Sequence, residues 1–395
     1  MEPESLVKSS QSSAGSEYAS EERSKIFAGA RQGLENMLGL KSGEKVTIVT
    51  DFATMSETQD AFVEVAKQIT GKDNVTIYVL EDSGKRPLSA MPDGLVERVN
   101  NSDVTMFVAQ SMGEELDTVR RPMMRAVSKS SARHGHCPGF IKQMMMEGMA
   151  ADYNVVYALS KALVDLLSGT RRINVTSEKG TNLICDIDPQ NFPWVPSQPV
   201  KKGQLANLPD GEVFCTPYNV NGTAVVDGCV GDFLNKKYGH LKETPVYVNI
   251  QSGMAVEISC PRNKELEYDL RTYVFNLNGK KEFLTRKVGE FALGTNLGVT
   301  GFIGKMLQDE KCGRAIHFAF GDPLDEDGTR AGYECKGHID LIVVEPTVKA
   351  NNGLIVMDNG LYTEEVMRHT LKYLPFGYAL SKIEEKLTFV KVNNQ

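Results

Sequence analysis

The chain has 395 residues, of which 41% are hydrophobic and 24% are charged, and its formal net charge at pH 7 is -7. This length and apolar content suffice for two domains or one large one, and they exclude a disordered or fibrous protein. The acidic balance argues against a nucleic-acid-binding protein, which needs a surplus of Lys and Arg to displace counterions. A peptide or small-molecule partner is therefore expected.

The sequence shows no signal for a membrane or an oxidising compartment. No apolar run is long enough to span a bilayer, and the first residues lack a basic segment followed by an apolar one. The seven cysteines are odd in number and include no C-x-x-C pair, which favours reduced thiols over disulfides or a thiolate zinc site. We expect a cytoplasmic protein with no membrane partner.

The first part of the chain predicts a parallel α/β domain. Residues 1–22 are rich in Ser, Glu and Ala and predict a disordered tail. From residue 23 to residue 170, helical patterns alternate with short, continuously apolar strands, as in KVTIVTD, NVTIYVL and VTMFVAQ. No G-x-G-x-x-G follows the first strand, so the pattern gives no reason to infer dinucleotide binding.

The segment ARHGHCPGF, between two helical stretches of this domain, carries His134 and His136. One interpretation is a surface loop. The other is a segment that lines a ligand pocket, in which case His136 is a candidate catalytic acid or base.

Residues 171–395 predict a second domain, a β-rich α+β domain. Strand patterns such as RRINVTS, TNLICDI, TAVVDGC and PVYVNIQ are divided by Gly, Asn and Pro turns, and one long helical pattern, NKELEYDLRTYVFN, interrupts them. The expected fold class is therefore α/β, with an N-terminal parallel α/β domain followed by a β-rich α+β metal-binding domain.

The metal-binding prediction starts from the segment 315–344. His317 lies inside the apolar run AIHFAFG, and His338 and Asp340 form an H-x-D pair that opens the run HIDLIVV. Residues two apart in a strand point to the same side, so this pair can share one ligand sphere. The alternative is a hydrogen-bonded pair beside a core histidine, but three such groups in one short segment favour a metal.

Three glutamates extend the candidate ligand set. Glu212 and Glu290 each follow a glycine at the start of an apolar, strand-like run, where a buried carboxylate needs a cation. Glu310 is a weaker candidate, because it fits a solvated helix end equally well. Carboxylates and imidazoles without thiolates suit Zn, Co, Mn or Fe(II) in a catalytic site, and five or six ligands favour two metals that share a carboxylate.

Four segments in this order, NLPDGEVFCTP, VGEFALGTN, DEKCGRAIHFAFG and GHIDLIV, resemble the metalloaminopeptidases of the aminopeptidase T type, peptidase family M29. The resemblance implies a two-metal centre, usually zinc or cobalt, in a homodimer. It implies metal ligands at these positions, the last with shifted spacing: Glu212, Glu290, His317, His338, Asp340 and Glu310.

One position departs from that family. The bacterial aminopeptidases carry a catalytic tyrosine seven residues after the first histidine, where this chain has Leu324. Tyr333 is a candidate replacement. The departure puts peptidase activity in more doubt than metal binding.

We therefore expect an aminopeptidase in which two divalent ions (Zn, Co or Mn) activate a water molecule and Glu290 bridges the ions or accepts a proton. The alternative hypothesis is that the chain, which also resembles the 2,5-dihydroxypyridine dioxygenases of the same superfamily, is such a dioxygenase. There one Fe(II) would be held by His317, His338 and Asp340, with His134 or His136 as acid or base. A non-catalytic binding protein on the same fold is the third hypothesis.

Overall fold

The structure is a computed structural model, and it describes residues 21–54, 57–276, 283–323, 331–335, 337–375 and 378. The chain divides into two compact units. Unit 1 comprises Met1–Ala151 and Pro199–Pro209, and unit 2 comprises Asp152–Gln198 and Asp210–Gln395. The sequence analysis placed the boundary at residues 170/171, whereas the structure groups residues 152–170 with the second unit. Residues 1–20 of the predicted tail lie outside the described residues, and residues 21 and 22 begin a helix.

Unit 1 contains a parallel sheet with helices between its strands. Its strands are β1 (Val46–Thr50), β2 (Val75–Val79), β3 (Val104–Val108), β4 (Arg133–His136) and β8 (Leu205–Asn207), in the order β2-β1-β3-β4-β8. Its helices are α1 (residues 21–31), α2 (Glu57–Thr70), α3 (Asp93–Asn100), α4 (Arg121–Lys129) and α5 (Lys142–Met146). Short helical turns lie at Gln32–Met37, Lys72–Asn74, Leu80–Ser83 and Leu116–Arg120.

The parallel α/β prediction for this part of the chain is confirmed. All residues of β1 and β3 are buried, as expected for strands covered on both faces. The surface-loop interpretation of ARHGHCPGF is wrong. Residues Arg133–His136 form β4, all four are buried, and β4 pairs with β3 and β8.

A buried charge cluster lies where the chain leaves β1 and β3. Arg86 donates hydrogen bonds to Asp51, to Glu115 and to the carbonyl oxygen of Gln110. Asp51 and Glu115 are fully buried, so the guanidinium is the buried charge partner of both carboxyl groups.

Unit 2 contains two antiparallel sheets. The eight-stranded sheet has the order β12-β11-β10-β6-β5-β16-β17-β18. Its strands are β5 (Arg172–Thr176), β6 (Asn182–Asp186), β10 (Asn219–Val226), β11 (Val246–Gln251), β12 (Met254–Ser259), β16 (Thr347–Ala350), β17 (Ile355–Asp358) and β18 (Leu361–Tyr362). The site sheet has the order β15-β14-β13-β9-β7, and its strands are β7 (Val195–Pro196), β9 (Glu212–Cys215), β13 (Val288–Gly294), β14 (Ala315–Gly321) and β15 (His338–Val344).

The helices of unit 2 are α6 (Tyr153–Leu167), α7 (Asp232–Tyr238), α8 (Lys264–Asn276), α9 (Met306–Asp309) and α10 (Glu364–Thr370), with short turns at Phe283–Arg286 and Leu371–Tyr373. One hydrophobic cluster contains side chains from both sheets and from α6 and α8. The β-rich prediction for the second part of the chain agrees with these two sheets. Within the described residues, no helix combines the length and apolar character that a membrane crossing requires.

Candidate metal centre

The site sheet separates packing residues from candidate ligands by strand alternation. Across β13, β14 and β15, Phe291 pairs with Phe318 and Phe318 with Leu341, and all three belong to the hydrophobic cluster. In the neighbouring row, Glu290 pairs with Ala319 and Ala319 pairs with Asp340. Paired residues point to the same face, and neighbouring rows point to opposite faces. One face of this sheet therefore packs the core, and the other carries the acids.

A β-bulge brings Glu290 to the face with the acids. Val288 pairs with Phe320 and Glu290 pairs with Ala319, so Gly289 is an extra residue in the register. If the pairing continued in register from Val288, Gly289 would lie opposite Ala319 and Glu290 would lie opposite Phe318 on the packing face. A Cβ at Gly289 would lie 2.5 Å from the carbonyl oxygen of Gly321, which explains why the bulged residue is a glycine.

All five principal candidates lie on this same face. His317 and His338 are each two residues from the row of Glu290, Ala319 and Asp340, and Glu212 pairs with Gly294 on the neighbouring strand. The small residues Ala319 and Gly294 lie between the longer side chains. The strands therefore bring together the residues that the sequence analysis selected: Glu212, Glu290, His317, His338 and Asp340.

The five side chains form two ligand groups that share Glu290. The first group is Glu212, Glu290 and His317, and the second is Glu290, His338 and Asp340; in each, the ligand atoms lie within 4.8 Å of one another. Glu290 Oε1 lies 3.3 Å from His317 Nε2, and its Oε2 lies 3.7 Å from His338 Nε2. The two oxygens of one carboxylate thus face two different imidazoles.

Two observations show that this donor set fits metal ions. Nδ1 of His338 is 2.7 Å from the carbonyl oxygen of Asp322, so it carries the proton and leaves Nε2 available as a ligand. Oε2 of Glu212 is buried and, within the described residues, has no aligned hydrogen-bond donor, although His317 Nε2 is 3.3 Å away. Oxygen and imidazole donors without thiolate suit Zn, Co, Mn or Fe(II).

The pKa shifts of the two histidines also support metal binding at this site. Burial alone would lower the pKa of both imidazoles, but Glu212 and Glu290 raise the pKa of His317 well above its usual range. Asp340 and Glu290 likewise raise the pKa of His338 to about 10 despite its burial. Protons on the imidazoles therefore balance the acids in this structure. Divalent ions would replace those protons and bind the neutral imidazoles.

Lys311 is a site residue that the sequence analysis missed. Its ammonium is 2.6 Å from Glu212 Oε1 and 2.8 Å from Glu310 Oε1, and its side chain is only 3% exposed. Burial raises the pKa of Glu212, but Lys311 and then His317 outweigh it and lower that pKa to about 2. Burial also raises the pKa of Glu310, and Lys311 offsets only part of this effect, so the pKa is about 8.

Glu310 is thus joined to the site through Lys311 and belongs to neither ligand group among the described residues. The only sequence signal for Lys311 was its position next to Glu310 in the run DEK, and an isolated lysine in such a run is normally solvated.

Tyr333 lies close to the strand ends that carry the ligands. Its hydroxyl donates to the carbonyl oxygen of Gly321 at 3.1 Å, and the Lys287 ammonium lies 4.1 Å from the centroid of its ring. It is not a member of either ligand group. Leu324, where the aminopeptidases have tyrosine, lies outside the described residues.

The two histidines of unit 1 form a buried hydrogen-bonded chain. His134 Nδ1 is 2.8 Å from Thr105 Oγ1, His134 Nε2 is 3.2 Å from His136 Nδ1, and Arg120 Nε donates to His136 Nε2 at 3.1 Å. Burial lowers the pKa of His134 to about 3, and burial and then the Arg120 charge lower the pKa of His136 well below its usual range. Both imidazoles are neutral near pH 7, and a catalytic role for His136 stays a prediction.

Comparisons with known proteins agree with this architecture. A search of curated proteins finds no match. The solved 2,5-dihydroxypyridine dioxygenase from Pseudomonas putida KT2440 is 16% identical, with a TM-score of 0.60 over 86% of this chain and 96% of that one. AmpT from Thermus thermophilus is 19% identical, with a TM-score of 0.63 over 86% of this chain and 98% of that one.

At these identities the two structures show a shared fold. The family model described as "NicX: 2,5-dihydroxypyridine 5,6-dioxygenase" matches residues 30–363, which is most of the sequence. The chain therefore belongs to the NicX family.

Proposed function

We propose that the chain is a metal-dependent aminopeptidase, which removes N-terminal residues from peptides at a two-metal centre. The observation that supports this proposal is the position of Glu290. Its two oxygens face His317 and His338, and it is the member common to both ligand groups. A carboxylate shared in this way is typical of paired metal ions in hydrolases.

Two divalent ions, when bound, would supply a water molecule of lowered pKa and polarise a peptide carbonyl. The chain's own residues would select the substrate end. The carboxylates of Glu212, Glu290 and Asp340 belong to the two ligand groups, and one of them would accept a hydrogen bond from the free amine of the substrate. This contact would restrict cleavage to N-terminal residues.

The test compares two substrates that differ only at that N-terminus. Protein loaded with Zn, Co or Mn is assayed on fluorogenic aminoacyl amides and on the same amides with an acetylated amine. We expect cleavage of the free-amine series only, and loss of cleavage in Glu290→Gln. Protein that holds two ions per chain and cleaves no member of the panel would refute the proposal.

A second candidate function is ring cleavage by a single Fe(II) ion, and the family match favours it. His317, His338 and Asp340 supply the two imidazoles and one carboxylate typical of non-haem Fe(II) oxygenases. Lys311 fits this alternative too, because it pairs with Glu212, one of the two acids of the ligand groups, Glu212 and Glu290, that lie outside this triad. Oxygen uptake with a dihydroxypyridine after anaerobic loading with one equivalent of Fe(II) would support it. Absence of uptake, together with amide cleavage, would exclude it.

A further inference from the structure

The two ligand groups differ in one respect, which is the ammonium of Lys311. In the first group, Glu212 gives one carboxylate oxygen to Lys311 at 2.6 Å. In the second group, the ion pairs of Asp340 among the described residues involve only His338. Lys311 is therefore in direct contact with the first group, whereas it acts on Asp340 of the second group only through its longer-range charge.

The backbone around Lys311 holds this charge in place. The N–H of Asn296 donates to the carbonyl oxygen of Lys311 at 2.9 Å, and Asn296 itself is fully buried. The next residue, Cys312, lies so close to β13 that a Cβ at Gly294 would be 2.0 Å from its carbonyl oxygen. Gly294 is the residue paired with Glu212. These backbone contacts therefore hold Lys311 beside the first ligand group.

The side chain of Lys311 is equally constrained. Its side chain is buried, and its ammonium is shared between Glu212 and Glu310, so a rotation away from Glu212 would break a buried ion pair. A divalent ion bound by Glu212 would share that carboxylate with the ammonium and would be repelled by it. Repulsion between buried like charges a few ångströms apart is large compared with thermal energy.

We infer that Lys311 is a fixed cation that makes the two metal positions unequal. The position at Glu290, His338 and Asp340 binds its ion tightly, and the position at Glu212, Glu290 and His317 binds a second ion weakly and reversibly. This inference rests on the metal centre of the proposed function, and it concerns binding, not turnover.

The test is a titration of metal-stripped protein with Co²⁺, followed by calorimetry and by the visible absorbance of the bound ion. For the wild type we expect two steps whose Kd values differ by at least about 100-fold. In Lys311→Met the second step tightens by at least about tenfold, because the competing charge is gone. Lys179→Met is the matched control, since Lys179 also pairs with a buried carboxylate of unit 2, that of Asp227, which belongs to neither group.

Lys311→Met leaves two buried acids without their partner, so Lys311→Gln, which keeps N–H donors without the charge, is measured beside it. Circular dichroism reports whether each variant folds. Two equal steps in the wild type, or an unchanged ratio in both folded variants, would overturn the inference.

A wild type that binds one ion, with a second bound only in the variants, supports the inference and counts against the two-metal aminopeptidase. Two unequal steps without peptidase activity likewise support the inference and count against the proposed reaction, whereas peptidase activity with two equal steps has the reverse meaning. The two hypotheses therefore fail in different measurements.

Discussion

Replacing Glu290 by Gln removes one negative charge that both ligand groups share, so this single change is expected to weaken both metal positions. The ligand atoms of each group lie within 4.8 Å of one another, which places any ion held by them close to this carboxylate. A doubly charged ion and a carboxylate 4 Å apart interact by about 8 kcal/mol at an effective dielectric constant of about 20. The remaining amide oxygen can still coordinate and keeps part of this attraction, so we take a loss of at least about 3 kcal/mol, or about 100-fold in affinity, at each position.

Two single-group variants provide the comparison. Asp340→Asn changes only the second group, and Glu212→Gln changes only the first. Calorimetric titration of the three metal-stripped variants with Co²⁺ should show both steps weakened in Glu290→Gln and one step weakened in each of the others. If Glu290→Gln shifts one step and leaves the other at its wild-type Kd, Glu290 is not shared and the two-group interpretation is wrong.

Three further predictions concern stability. Arg86→Met leaves Asp51 and Glu115 buried without a cation, and chemical denaturation should show a loss of about 3–5 kcal/mol, whereas a loss below about 1 kcal/mol would contradict the charge-partner role of Arg86. Burial raises the pKa of Asp51, but hydrogen bonds from Thr54 and Gln110 and the Arg86 charge outweigh it and lower that pKa. Its stabilising effect is therefore present above the unfolded pKa of about 3.9 and is lost as pH falls through the lower folded value, so wild-type melting temperature should drop below about pH 4. The Asp51→Asn variant should show a smaller drop, and an equal drop in both proteins would contradict this assignment. Phe291→Ala should cost about 3–5 kcal/mol and change the fluorescence of Trp194, the single tryptophan, whose ring lies 6.3 Å from that of Phe291; an unchanged spectrum would contradict this packing.

The candidate ligands could be selected from the sequence because strand alternation is a local property. The spacing of His338 and Asp340 places both on one face of any strand, whatever surrounds it. The apolar residues beside His317 likewise predict a buried strand. The Gly-Glu pattern at residues 289–290 was informative for a different reason, since the glycine is a bulge that turns Glu290 toward the other ligands.

Lys311 could not be selected in this way, because its position depends on contacts between distant parts of the chain. The backbone bond from Asn296 and the close approach of Cys312 to Gly294 are tertiary features, and neither leaves a pattern near residue 311. A lysine beside an acid in sequence most often lies in solvent.

Strand β4 was missed because its sequence lacks the apolar pattern of a buried strand. RHGH contains no apolar side chain, yet partners elsewhere in unit 1 satisfy its histidines and allow burial. Composition alone cannot reveal such partners.

The boundary between the two units also differs from the one expected at residues 170/171, because it too depends on tertiary packing. The change in sequence texture near residue 170 marks the first strand of the eight-stranded sheet, whereas α6, just before it, packs in the same hydrophobic cluster as that sheet. Periodicity identifies a helix but does not say which core it joins.

The two faces of the site sheet have a consequence for how this protein can change. The residues that hold β13, β14 and β15 in the core and the residues that carry charge occupy alternate positions, so neither set needs the other's side chains. A substitution on the charged face can alter the number or kind of ion without removing a packing contact from the other face. In these strands folding and chemistry are separable properties, and one scaffold can acquire a new reaction without first having to fold anew.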